Sequence, residues 1–225
     1  MVFIADINEY DNSFFEEAAL ILPQIKKEEV IKIKHELTKK ETVLAWALLR
    51  FALNKAGKSD FSALAYSEKG KPFFKNENLF FNLSHSKGKV CVAISDVGEI
   101  GIDVQKRSKF SVNMIKRVFA ENERRLSENL PDKDAFFSRL WAIKESFLKN
   151  TGIGIAFDIR SLDFSKQCLF DKFEKDGLCY NVWCDEDFSF SVCAKEKGEQ
   201  KLQSVVPENL IEFCRITAAA IKGEV

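Results

Sequence analysis

The chain has 225 residues, of which 34 are basic and 34 acidic, and 46% of the residues are hydrophobic. This balance excludes the overall field that draws a protein to nucleic acid or to an anionic membrane, and the hydrophobic content is that of a globular protein with a sizeable core. No apolar run reaches about 18 residues and the N-terminus does not resemble a signal peptide, so we expect a cytoplasmic protein that does not enter the membrane.

The first half of the chain predicts helical and extended segments in turn. An opening strand precedes a helix over residues 28–56, in which Val43, Trp46, Ala47 and Arg50 recur at spacings of three and four. The stretch "YSEKGKPFF" predicts two extended segments around a Gly-Lys-Pro turn. Next, "LFFNLSHSKGKVCVAIS" predicts two strands around a polar bend, and the second is apolar enough to be buried on both faces.

The second half begins with the strand "IGIDV" and continues as helix over residues 112–130. Pro131 and Asp132 begin another helix that runs to about residue 150, where Thr151 and Gly152 end it. The remainder alternates as antiparallel strands do, and a short helix closes the chain. The parts before and after residue 106 each contain helix and end in a hairpin, which indicates either two similar lobes or a chance likeness between strands.

Six cysteines and two histidines are the residues from which a zinc site would be built. They contain no Cys-x-x-Cys pair. Cys91 and Cys193 lie in apolar, strand-like runs, where cysteine usually behaves as a small buried hydrophobe. We therefore expect reduced thiols and no structural zinc.

The hexapeptide "IGIDVQ" places a carboxylate inside an apolar strand. Side chains alternate between the faces of a strand, so Gly101, Asp103 and Gln105 share the face opposite the apolar residues. Asp-x-Gln is a suitable half-site for Mg²⁺, which prefers oxygen ligands. The alternative is an edge strand with Asp103 in solvent or capping a turn.

A second carboxylate lies on the helix that contains "FFSRLWAIKESFLKN". Trp141, Glu145 and Leu148 follow one another at helical spacing, so Glu145 lies on an aromatic and apolar stripe. This flank favours a buried or ligand-binding carboxylate. The alternative is an ordinary solvated face of lysine and glutamate.

The segment "NLSHS" places His85 between two hydroxyl groups. Serine, histidine and a nearby lysine are apt donors to phosphate, and Lys71 of the Gly-Lys-Pro turn is a further donor. A serine hydrolase is disfavoured because the chain has no G-x-S-x-G motif. The alternative is a histidine whose hydrogen bonds are satisfied by backbone groups.

The motifs "GKP", "FNLSHS", "GIDV" and "WAIKES", in this order, resemble the signature of the 4′-phosphopantetheinyl transferase family, of the surfactin-synthetase-activating (Sfp) type. The resemblance covers residues 32–154 and implies an α+β fold of two similar, pseudo-duplicated lobes, each with antiparallel strands and a long helix. We expect the lobes at residues 1–106 and 107–225, with the active site in the cleft between them.

The resemblance also implies roles for individual residues. The metal ligands would be Asp103, Gln105 and Glu145. The residues with catalytic roles would be Glu123, as general base, and Lys144, which would contact the pyrophosphate. The residues that bind the coenzyme would be Arg50, Lys71, Ser84, His85, Lys144 and Lys149. Many family members have glutamate where this chain has Gln105, and the uncharged amide is expected to weaken the metal site.

The implied activity is the Mg²⁺-dependent transfer of 4′-phosphopantetheine from coenzyme A to a serine of an apo acyl or peptidyl carrier protein, which releases adenosine 3′,5′-bisphosphate. We expect a monomer, because one chain contains both lobes. One alternative is a non-catalytic protein that binds coenzyme A or the carrier and lost turnover with Gln105. Another is an unrelated magnesium-dependent phosphohydrolase, which would release phosphate without a carrier.

Overall fold

A computed structural model describes residues 1–58, 61–154, 157–195 and 200–223. The helices are α1 (Asn12–Leu20), α2 (Gln24–Lys32), α3 (Glu36–Lys55), α4 (Val112–Val118), α5 (Glu121–Glu128), α6 (Lys133–Thr151) and α7 (Pro207–Lys222). The strands are β1 (Val2–Asp6), β2 (Leu64–Tyr66), β3 (Pro72–Phe74), β4 (Phe80–Ser86), β5 (Lys89–Ser95), β6 (Ile100–Lys106), β7 (Lys172–Lys175), β8 (Leu178–Cys184), β9 (Phe188–Ala194) and β10 (Leu202–Ser204). This confirms the α+β class. None of these helices is long and apolar enough to cross a bilayer.

Two helices predicted from the sequence are each divided in the structure. The predicted helix over residues 28–56 is α2 and α3, and the ring of His35 caps α3 by accepting a hydrogen bond from the Thr38 N–H at 3.4 Å. The predicted helix over residues 112–130 is α4 and α5, and the Glu123 carboxylate accepts from the Ala120 N–H at 2.7 Å where α5 begins. In both cases a side chain satisfies backbone donors that a continuous helix would have used.

The strands form two four-stranded sheets and the small β2–β3 hairpin. The first sheet has the order β10-β1-β5-β4 and is covered by α3, whereas the second has the order β6-β9-β8-β7 and is covered by α6. The second sheet is antiparallel throughout, and in the first only the β1–β10 pair is parallel. A long helix on a sheet therefore occurs twice, while the duplication itself stays a prediction.

The predicted lobe boundary after residue 106 does not coincide with the division between the sheets. Strand β6 pairs with β9 along its whole length, from Ile100 opposite Ala194 to Lys106 opposite Phe188. The chain also returns to the first sheet at its end, where β10 pairs with β1 and α7 packs against α1. The sheet to which β6 or β10 belongs is decided by strands that are distant in the chain, and local sequence patterns do not predict that pairing.

The two sheets meet at a seam formed by strands β4 and β6, which are the edge strands of their own sheets. The side-chain oxygens of Asn82, Ser84 and Ser86 on β4 accept hydrogen bonds from three backbone N–H groups of β6. The donors are Ile102 at 3.1 Å, Val104 at 3.4 Å and Lys106 at 3.1 Å. Edge-strand donors that would otherwise be unpaired are thus satisfied, and β4 is held beside β6.

Helix α6 approaches β6 closely at Gly101. A Cβ atom there would lie 2.0 Å from the carbonyl oxygen of Ser146 and 2.4 Å from the amide nitrogen of Asn150. Small residues continue the contact on β9, where Ser146 Oγ lies 2.9 Å from Ser191 Oγ. The missing side chain of Gly101 therefore lets the carboxyl-terminal half of α6 lie directly over β6, next to Asp103.

Candidate active site

A pocket of about 260 Å³ opens where the β2–β3 turn, strand β4 and the end of α6 meet. Its walls include Lys69 and Lys71 from the turn, Asn82 from β4, and Glu145 and Lys149 from α6. Asp103 lies beside it, since Lys149 reaches the Asp103 carboxylate at 2.7 Å. The structure therefore brings together five residues predicted as parts of one site: Lys71, Ser84, Asp103, Glu145 and Lys149.

The two oxygens of the Asp103 carboxylate have different surroundings. Oδ1 accepts hydrogen bonds from Ser84 Oγ at 2.8 Å and from Lys149 Nζ at 2.7 Å. Oδ2 is buried and has no hydrogen-bond partner among the described residues. A buried carboxylate oxygen without a partner is costly, and a bound cation is one of the groups that satisfies such an atom.

Glu145 places a second negative charge next to Asp103. Burial raises the pKa of the Glu145 carboxyl, the charge of Asp103 raises it further, and the ammonium group of Lys149 opposes both effects. Two carboxylates that repel each other beside an open pocket are stabilised by a cation between them. Asp103 is thus near enough to Glu145 to act on its charge, and the metal-binding role of the two carboxylates stays a prediction.

Gln105 follows Asp103 on the same strand, and its amide nitrogen is 3.4 Å from the carbonyl oxygen of Lys106. Within the described ranges, no group of three or more histidine, cysteine, aspartate or glutamate side chains is placed to hold a metal. The structure therefore relates two carboxylates to each other, and the part of Gln105 in the set stays a prediction. Mg²⁺ commonly takes one or two carboxylates and keeps several waters, so the residues present fit this ion.

The lysines of the β2–β3 turn bind the carboxyl-terminal end of α6. Lys71 Nζ lies 2.5 Å from Glu99 Oε2 and 3.0 Å from the carbonyl oxygen of Asn150, while Lys69 Nζ lies 2.7 Å from the carbonyl oxygen of Ile153. The turn thus supplies positive charge at the mouth of the pocket. Lys69 was not predicted, although its position two residues before Lys71 was the available signal.

Ser84 and His85 were predicted together as coenzyme-binding residues, but they point in different directions. Ser84 faces Asp103 and Lys149, with its Oγ 2.7 Å from Lys149 Nζ. His85 Nδ1 instead lies 3.0 Å from Oε2 of Glu41 on α3. Glu41 is buried and also accepts a hydrogen bond from the Gly88 N–H at 2.7 Å. Sequence analysis missed Glu41 because it lies in a Lys- and Glu-rich stretch.

Arg50 lies on α3 and makes contacts elsewhere in the first half of the chain. Its Nη1 donates to the carbonyl oxygen of Ile21 at 2.5 Å, and its guanidinium group lies over the ring of Phe61. Nine residues separate it from Glu41, which at 3.6 residues per turn places the two on opposite sides of the helix. Arg50 is not among the residues that line this pocket, and its role in binding the coenzyme stays a prediction.

Glu123 and Lys144 form a buried pair. Lys144 Nζ lies 2.6 Å from Glu123 Oε2, and both side chains are fully buried. Neither faces the pocket in this structure, so the predicted contacts of Lys144 with a pyrophosphate and of Glu123 with a serine hydroxyl are not available to this conformation. Backbone groups also hold both side chains in place. The Glu123 carboxylate accepts from the N–H groups of Ala120 and Phe164, and Lys144 donates to the carbonyl oxygens of Val118 and Ile159.

Comparison with known proteins gives related sequences that cover most of the chain. Residues 99–206 match the model of the 4′-phosphopantetheinyl transferase superfamily. A 4′-phosphopantetheinyl transferase of Bacillus subtilis is 30% identical over 182 residues, which are 75% of this chain and 80% of that protein. The transferase Sfp of Bacillus subtilis strain 168 is 28% identical over 180 residues, with the same two coverages. The transferase HetI of a Nostoc species is 39% identical over 99 residues, 40% of this chain and 42% of that protein.

Proposed function

The chain belongs to the 4′-phosphopantetheinyl transferase superfamily, and from this premise we propose that it transfers 4′-phosphopantetheine from coenzyme A to a serine of an acyl or peptidyl carrier protein. The observation that supports the site most directly is the buried, unpartnered Oδ2 of Asp103 beside Glu145. That arrangement fits a divalent cation at the base of a pocket bordered by lysines.

The proposed reaction breaks a phosphoanhydride bond and forms a phosphate ester bond. The serine hydroxyl oxygen bonds to the phosphorus that carries the pantetheine arm, and the bond from that phosphorus to the bridging oxygen of the pyrophosphate breaks. Adenosine 3′,5′-bisphosphate leaves with the bond electrons, and the serine proton passes to a base. Magnesium, held by Asp103 and Glu145 with Gln105 beside them, would neutralise charge on the pyrophosphate.

The protein's own cations would do the remaining electrostatic work. Lys149 and Lys71 line the pocket, and Lys69 adjoins them. Positioned positive groups stabilise the negative charge that gathers on the leaving phosphate, and they act more strongly in a partly buried site than in water. Glu123 and Lys144 would contact substrate only if their buried pair opened, so in this proposal they hold α5 and α6 in place.

Intact-protein mass spectrometry tests the proposal. An apo acyl carrier protein is incubated with this protein, coenzyme A and Mg²⁺, in parallel with samples that contain a chelator or the Asp103→Ala variant. We expect a gain equal to one phosphopantetheine with the unchanged protein and none in the two parallel samples. Glu121→Ala is the control, because Glu121 is an exposed acidic residue on α5 that pairs with Arg124 and Arg125 and contributes no proposed ligand, so this variant should give the same gain as the unchanged protein.

Two other results would contradict the proposal. Coenzyme A binding without any gain across several carriers would favour a non-catalytic binding protein. Phosphate release without a carrier would favour a phosphohydrolase.

We also expect activity from the monomer, since one chain supplies every proposed group, and a cytoplasmic location, where reduced cysteines persist.

A further inference from the structure

We propose that Ser84 is a positioning residue for Asp103: its hydroxyl group fixes one carboxylate oxygen so that the other faces the cation site. This inference rests on the proposed function, because it needs Asp103 to bind a cation. The resemblance to the family implied instead that Ser84 contacts the coenzyme.

The hydrogen bonds of Ser84 are fully used inside the protein. A serine hydroxyl has one proton to donate and two lone pairs that accept. Its proton goes to Asp103 Oδ1 at 2.8 Å, and its lone pairs accept from Lys149 Nζ at 2.7 Å and from the Val104 N–H at 3.4 Å. A phosphate anion needs a donated proton, and Ser84 has committed its proton to Asp103.

The same contacts determine the orientation of the Asp103 side chain. Ser84 and Lys149 both bind Oδ1, and they also bind each other. Rotation of the carboxylate would break two charge-assisted hydrogen bonds at once. Oδ2 is therefore held as the buried oxygen without a partner among the described residues, which is the oxygen that a cation would use.

The seam supplies a matched control. Ser86 lies two residues further along β4 and accepts from the Lys106 N–H at 3.1 Å, much as Ser84 accepts from Val104. Among the described residues, Ser86 makes no hydrogen bond to Asp103, whereas Ser84 does. Ser86→Ala therefore removes a seam hydrogen bond and leaves the surroundings of Asp103 intact, whereas Ser84→Ala changes both.

Mn²⁺ titration, followed by the electron paramagnetic resonance signal of the free ion, tests the inference without coenzyme A or carrier. Groups that orient a metal ligand typically contribute 10- to 100-fold to affinity, so we expect Ser84→Ala to weaken Mn²⁺ binding by about that factor. Ser84→Thr keeps the hydroxyl and should bind nearly as the unchanged protein does, as should Ser86→Ala. If Ser84→Ala is too unstable, Ser84→Cys retains the volume with a weak donor and gives the same comparison.

Steady-state kinetics separate this role from a coenzyme contact. With Mg²⁺ saturating for each variant, a positioning role lowers kcat and leaves KM for coenzyme A nearly unchanged, whereas loss of a direct contact raises KM. Equal Mn²⁺ affinity of Ser84→Ala and the unchanged protein would overturn the inference and leave the proposed transfer standing. Equal weakening by Ser86→Ala would also overturn it, because the effect would then belong to the seam. Absence of Mn²⁺ binding by the unchanged protein would overturn both the inference and the proposed magnesium site.

Discussion

Lys144 Nζ lies 2.6 Å from Glu123 Oε2, and the two fully buried side chains join α6 to α5. Burial lowers the pKa of the Lys144 ammonium group, and the negative charge of Glu123 opposes that effect. Glu123 also accepts hydrogen bonds from the backbone N–H groups of Ala120 and Phe164. Three segments therefore meet at this pair, and loss of either partner leaves an uncompensated buried charge.

We expect Glu123→Ala to lower the free energy of unfolding by about 3–5 kcal/mol, because it leaves the Lys144 ammonium group buried and unpaired. Urea unfolding followed by circular dichroism measures this change. Glu121→Ala is the control on the same helix: Glu121 is exposed and pairs with Arg124 and Arg125, so its loss should have a much smaller effect. Equal stability of the two variants would contradict a structural role for the Glu123–Lys144 pair.

Local sequence patterns were most informative about features that depend on a single strand or helix, such as the face on which a side chain lies. The alternation in "IGIDVQ" correctly placed Gly101 and Asp103 on one face of β6, which α6 covers, and the helical pattern correctly placed Glu145 on a helix. That Asp103 meets Lys149, 46 residues later, depends on the pairing of strands and the packing of α6. Periodicity contains no information on such contacts, and the resemblance implied only that the two residues belong to one site, Asp103 as a metal ligand and Lys149 as a coenzyme-binding residue.

The sequence was least informative about which partner each polar side chain would find. His85 lies next to Glu41, and Ser84, its neighbour in the chain, lies next to Asp103, because adjacent residues of a strand face opposite sides. Glu123 stands among charged residues that look like a solvated helix face, yet it is fully buried. Glu123 is buried because Lys144 and the segment at Phe164 pack against it, and local sequence patterns do not predict contacts between residues so far apart in the chain.

We expect Gly101→Ala to destabilise the protein and to impair transfer. The added Cβ would lie 2.0 Å from the carbonyl oxygen of Ser146 on α6, so the helix must move away from β6. Overpacking of this kind typically costs about 1–3 kcal/mol, and the movement would also separate Glu145 from Asp103. Urea unfolding and the mass-spectrometric transfer assay measure the two effects.

Gly98→Ala is the control for Gly101→Ala. A Cβ at Gly98 would meet its nearest neighbour, the Cδ of Lys195, at 3.8 Å, which is an ordinary contact. We expect this variant to retain stability and activity. A Gly101→Ala protein that behaves in the same way would show that α6 does not depend on close contact with β6.

We expect Lys149→Met to reduce stability because it removes the cation that pairs with Asp103 at 2.7 Å. The Lys149 side chain is partly exposed, so the loss should be smaller than for the Glu123–Lys144 pair, about 1–3 kcal/mol. Lys149→Arg, which keeps the positive charge, should lose less. A double-mutant cycle with Asp103→Asn gives the coupling energy of the pair, and a coupling energy near zero would show that the contact does not stabilise the fold.

Thiol reactivity should separate the cysteines by burial. Burial raises the pKa of Cys168, Cys193 and Cys214 to about 12, so few of these thiols are ionised at pH 8. Cys184 is exposed and should react first with iodoacetamide, since the thiolate is the reactive form and access limits its rate. Peptide mass spectrometry of the folded and urea-unfolded protein measures the order, and early modification of the buried thiols in folded protein would contradict this packing.

We expect Gln105→Glu to strengthen divalent cation binding and to weaken the cation-free fold. The substitution adds a third carboxylate beside Asp103 and Glu145, so repulsion among the three rises without a cation and attraction rises with one. Mn²⁺ titration measures the gain in affinity, and urea unfolding with and without Mg²⁺ measures the change in stability. Gln203→Glu is the control, because Gln203 is exposed on β10, in the other sheet. Unchanged Mn²⁺ affinity in Gln105→Glu would show that residue 105 does not face the ion and that Asp103 and Glu145 alone provide the charge of the site.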